Sequence, residues 1–206
     1  MEMEEVMELK DVLEKVEGKL IAAGKMYGAM NFAVWLVIML FYYVLMGLFD
    51  LSWKFGLVYW PLAFIVAMVF TGRIWRMFKR LGRVTGEELG LSSGGGVLVG
   101  LSWMVGMIVG WVIVPRMGLG VTDEASVAMG FLTFIGISVL GMWLVFARYG
   151  GMEREMIPAF LLPLTGVPAA MKMVDGSLLW ASFLVALGFS ATVLWYLYSA
   201  FRAIER

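Results

Sequence analysis

The sequence predicts an all-α integral membrane protein, with six transmembrane helices in three hairpins and a cytosolic amphipathic helix ahead of them. Three observations carry that expectation. The 206 residues are 62% hydrophobic and only 16% charged, with mean hydropathy +0.88, a composition outside that of soluble domains. Apolar runs long enough for a hydrocarbon core of ~30 Å alternate with short segments of Gly, Pro or charge. A basic stretch, 72–83, lies between two uncharged runs and holds Arg73, Arg76, Lys79, Arg80 and Arg83 with no acid among them.

Residues 1–25 read as a water-exposed helix. Val6, Leu9, Leu13, Val16, Leu20 and Ala23 alternate at spacings of three and four, the a/d stripe of a coiled coil. Glu2, Glu4, Glu5, Glu8, Asp11, Glu14 and Glu17 face Lys10, Lys15 and Lys19, with Asp11 and Lys15 ordered for an i,i+4 pair. So acidic a helix avoids anionic lipid. Two roles fit it: packing beneath its own bundle against the basic stretch, or docking another chain, including a second copy, through Leu9, Leu13 and Val16.

Six apolar runs follow, near 29–49, 55–72, 94–114, 125–147, 157–171 and 177–201. Lys and Arg near span ends are retained on the cytoplasmic side, so the basic stretch, read as a loop, is placed inside. An even number of spans then puts both termini in the cytoplasm and the chain, as a multi-pass protein, in the cell membrane. Only Lys54, Arg116 and Lys172 fall outside. Trp and Tyr form two belts: Tyr27, Trp75, Trp143, Tyr149, Tyr196 and Tyr198 at the inner level, Trp53, Tyr59, Trp60, Trp111 and Trp180 at the outer. Trp35 and Trp103 fall deeper, between helices. Trp60 and Trp75 recur at the spacing of Trp180 and Trp195, and Gly56 matches Gly176, which reads as belt placement or as an internal repeat.

Composition excludes much chemistry. With no Cys and no His, there are no thiolate or imidazole ligands, disulfides, Cys nucleophiles or His acid–base steps. No charged residue falls inside a run, which disfavours a pump with a buried carboxylate. The segment 85–96 starts with a capping box, Thr85 to Glu88, and lacks the order of a phosphate loop. No cofactor, metal or nucleic acid is expected, and the chain reads as no enzyme. Gln is absent and Asn31 is the one Asn, a bias of proteins from hot organisms that 18 Met oppose. The first 25 residues, charged throughout, do not read as a cleavable signal.

Three constellations remain. Gly96, Gly100, Gly106 and Gly110 in the third run, with Ser126, Gly130, Gly136 and Gly141 in the fourth, open grooves for close helix packing or for a homodimer face. The fifth run carries Pro158, Pro163 and Pro168 with Gly166, and reads as a kinked structural helix or as a broken segment exposing backbone to a ligand. Ser102, Thr133, Ser138 and Thr165, with Asn31 and Ser190, supply interhelical hydrogen bonds or, beside Pro163 and Gly166, a pocket for a neutral molecule or lipid. The basic stretch could hold anionic headgroups. Asp50, Asp123 and Asp175 precede helices, where capping accounts for an acid.

In size, helix number and orientation the chain resembles the substrate-binding subunits of energy-coupling-factor vitamin importers, and Ala29-xxx-Ala33 resembles their AxxxA coupling motif. The resemblance covers five residues, and the Trp-rich helices depart from that pattern. It implies that Ala29 and Ala33 meet a transmembrane coupling subunit. Two functions are expected: a non-catalytic component acting through protein partners at its cytosolic face, or a small binding or transport protein for an apolar or neutral molecule or lipid.

Overall fold

The computed structural model describes residues 2–49, 54–85, 93–149 and 151–205. Asp50, Trp53 and the box from Thr85 to Glu88 lie wholly or partly outside them. The described residues are mostly helical, with no strand among them. The helices are α1 (Glu2–Phe49), α2 (Lys54–Thr85), α3 (Ser93–Ile108), α4 (Val114–Arg116), α5 (Asp123–Tyr149), α6 (Ile157–Lys172) and α7 (Ser177–Ile204), with a π turn at Val109–Ile113 and a 3-10 turn at Arg154–Met156. Among the described residues, five segments are long and apolar enough to cross a membrane, in α1, α2, α3 through α4, α5 and α7. α6, at 16 residues, spans ~24 Å.

Two stretches read separately in the sequence are continuous here. α1 carries the amphipathic segment and the first apolar run as one helix of 48 residues, ~72 Å long. Lys25 interrupts the hydropathy and leaves the backbone intact, because no Pro follows and every residue of 25–33 can stay helical. The basic stretch is likewise the last turns of α2; Arg, Lys, Met and Leu are good helix formers.

The chain divides into two compact units, Met1–Leu89 with Val193–Arg206, and Gly90–Thr192. In the first, α1 and α2 run antiparallel. Ile38, Ala63 and Ala67 form its core, packed by Val34, Trp35, Tyr59 and Trp60, and Tyr59 Oη donates to Ile38 O at 2.7 Å. Aromatic clusters clamp both ends: Tyr27 lies 5.2 Å from Trp75 and 5.9 Å from Phe78, while Tyr42 lies 5.0 Å from Trp60 and 5.1 Å from Tyr59. On each helix the clusters stand ~22 Å apart along the axis. The last turns of α7 join them, with Tyr196 buried against Phe32 at 6.1 Å.

The second unit is organised by α5, which is buried from Ala125 to Met142 along one broad face. α3 packs on it antiparallel, Trp103 reaching Phe134 at 5.7 Å. α6 packs on its other side, Trp143 reaching Phe160 at 5.6 Å. The π turn precedes Pro115, which has no N–H for the carbonyl one turn back; Val114 N bonds Val109 O across the widened turn. Pro163 and Pro168 sit inside α6 without ending it. Gly56 is helical, whereas Gly176 is a loop residue at φ +71, so the matched pair occupies different backbone.

Candidate functional site

The Gly-rich faces divide. Gly106 and Gly110 are buried, and a methyl on either would strike α5: on Gly106 it would stand 2.8 Å from Phe134 O, and on Gly110 2.5 Å from Gly130 O. Gly141 makes the same close approach to Ser102, at 2.6 Å from its Cβ. Backbones this close gain dispersion and Cα–H···O contacts. Gly96 and Gly100 meet nothing within 4 Å; both are exposed.

The residues expected to line a pocket are either buried or bonded to their own helix. Pro163 is fully buried, and the space over Gly166 is filled by Leu184 and Leu132. Thr165 faces outward and donates to its own helix, to Leu161 O at 2.9 Å and Leu162 O at 3.1 Å. Ser102 likewise donates to Val99 O at 2.7 Å. Thr133 is buried, and Ser138 is fully buried beside Gly106 with no hydrogen-bond partner for its hydroxyl. Asn31 and Ser190 are half-buried. Among the described residues no group of three acids could hold a metal ion.

Thr122, not Asp123, caps α5 by accepting from Ala125 N at 3.0 Å. Glu124 accepts from Leu178 N at 3.0 Å, closing the first turn of α7 from another helix. Val121 N also donates to Met171 O at 3.2 Å. These bonds join the ends of α5, α6 and α7.

In the first unit, α1 makes a close approach at Gly18, whose added methyl would meet Ala203 O at 2.5 Å. Leu20 is buried at 7%, while Val6, Leu9, Leu13 and Val16 are exposed at 65%, 61%, 61% and 39%. The stripe is thus occupied at its inner end and bare beyond. Lys10 and Glu14 pair at 3.8 Å, in the weaker of the two orders. A shallow cleft of ≈ 270 Å³ lined by Glu14, Glu17, Gly18, Ile21 and Ala203 marks where packing ends.

On α2, Trp75 and Phe78 turn to Tyr27, and Phe78 covers Gly24 at 3.5 Å from an added methyl. Arg73, Arg76, Lys79 and Arg80 are exposed on the remaining faces; Lys79 lies 5.4 Å over the Trp75 ring. Arg83 continues the same helix. Ala29 is buried at 2% within the first unit and Ala33 is half-buried.

Sequence patterns did not reveal the long-range cap by Glu124, the aromatic cluster around Tyr42, or the burial of Glu155 at 6%. Glu155 lies in the charged segment Met152-Glu153-Arg154-Glu155, which carries no sign of burial. Comparison with family models, curated proteins and solved structures finds no match, and the functional reading rests on this geometry.

Proposed function

We propose that this chain is a polytopic, non-catalytic membrane protein that works by docking another protein on the cytosolic end of α1. In this reading the five long apolar segments and the shorter α6 make six membrane segments in three hairpins, with both termini in the cytoplasm. Support for insertion comes from the outer faces of the helices: Val37, Phe41, Leu57, Ile65, Val105 and Leu194 are each more than half exposed, a surface suited to lipid.

The observation that carries the docking role is the bare a/d stripe on an unbroken helix. An interfacial anchor lies in the membrane plane, whereas α1 continues without a break into its own span. The stripe therefore stands off the bilayer. Its inner end, at Leu20, is already a packed seam, so a partner helix laid on Val6, Leu9, Leu13 and Val16 extends an existing contact. Burying four such side chains, each already part-covered, is worth about 4–6 kcal/mol before association costs.

The absence of cysteine makes the test clean. A photo-crosslinker placed through Leu13→Cys in source-like membranes should yield one adduct of defined mass. The same probe at Lys15→Cys, on the opposite face, should yield none, and Leu9→Glu should abolish the first. Equal labelling from both positions, or an adduct unaffected by Leu9→Glu, refutes the docking stripe.

A further inference from the structure

We propose that the arginine ladder on the end of α2 is a binding site for the phosphate of anionic phospholipids. Because this stretch is helical, its cations are ordered. Arg73, Arg76 and Arg80, at spacings of three and four, fall within an arc of roughly 60°. A rule that only retains positive charge inside needs cations near the span end and no particular face; here one face is built. The opposite face is held against α1 by Trp75 and Phe78, so the ladder cannot rotate away. All three arginines are exposed, and none pairs with an acid among the described residues.

Depth selects the ligand. About 20 residues from Lys54 cross the hydrocarbon, which brings the headgroup level to Arg73 and Arg76, with Arg80 one turn further. Arginine forks bind phosphate oxygens in pairs and are the side chains suited to this geometry. A phosphodiester seated at Arg76 is bracketed by Arg73 and Arg80, and the neighbouring Lys79 is drawn toward the Trp75 ring.

The inference rests on the membrane placement proposed above, which an alkaline carbonate wash checks separately: release of the chain would remove that reading. For the site itself, full-length protein is equilibrated with mixed micelles holding equal phosphatidylglycerol and phosphatidylcholine, and bound lipid is counted by native mass spectrometry. Phosphatidylglycerol should be retained preferentially. Arg76→Gln and Arg80→Gln should each lower that retention about fivefold, and Arg202→Gln, a cation off the ladder, should leave it unchanged.

Arg76→Lys with Arg80→Lys keeps the charge; the fold should persist and retention should fall part way, which covers the case of unfolded Gln variants. Four results overturn the proposal: equal retention of the two lipids by the native chain, an equal loss in Arg202→Gln, full competition by millimolar inorganic phosphate, which would mark a site for free anions, or ladder variants that change only the oligomeric mass, which would mark a contact with another copy.

Discussion

The seam between α3 and α5 gives a quantitative test of the fold. Gly110→Ala places a methyl 2.5 Å from Gly130 O and 2.7 Å from Phe134 N, against 3.4 Å for ordinary contact. Both obstacles are backbone, so the helices must part by roughly 1 Å. Overpacking of this kind costs about 1–3 kcal/mol, and the better helix propensity of Ala returns ~1 kcal/mol. The net is a loss of up to about 2 kcal/mol, or up to roughly 8 °C in melting temperature for a chain this size.

Gly100→Ala on the same helix meets nothing within 4 Å and should raise stability slightly. Melting of the detergent-solubilised protein, followed by tryptophan fluorescence, reads both signs. Gly130→Ala carries the reciprocal methyl, 2.5 Å from Gly110 O. Once one methyl has parted the helices the second meets less, so the double variant should lose less than the sum of the singles. If Gly110→Ala melts no lower than Gly100→Ala, the seam is not where the structure puts it.

Glu124→Ala removes the acceptor for Leu178 N and should cost about 0.5–2 kcal/mol, with hydrogen exchange accelerating first in the opening turn of α7; unchanged exchange there would contradict the cap. Tyr59→Phe deletes the bond to Ile38 O while keeping the ring in its cluster, and should lower stability by about 1 kcal/mol, whereas Tyr42→Phe, with its ring contacts retained, should change it less.

Periodicity and composition made the helical class legible, because apolar runs of such length admit few other structures. The ends were less so. Hydropathy marks where a chain meets water, not where a helix stops, and this hid the continuity of α1 through Lys25 and of α2 through Arg83. The signal for the second was present in the spacing of Arg73, Arg76 and Arg80. Small-residue spacing could not separate Gly106 and Gly110, which meet α5, from Gly96 and Gly100, which meet nothing, since the pattern carries no direction. Proline in α6 suggested an opening, yet Leu132 and Leu184 close over Gly166. The partner of Glu124 lies 54 residues away, beyond any local pattern.

The unbroken course of α1 makes it a lever. Leu9 and Ile38 sit on the same rod, ~43 Å apart, and Ile38 is where Tyr59 grips it. A flexible linker would absorb a tug at the distal end. Here a sideways push at Leu9 pivots about the last packed turn at Gly18 and Ala203 and arrives at the α1–α2 core as torque. A grip on the far tip would thereby handle the tilt of the α1–α2 pair.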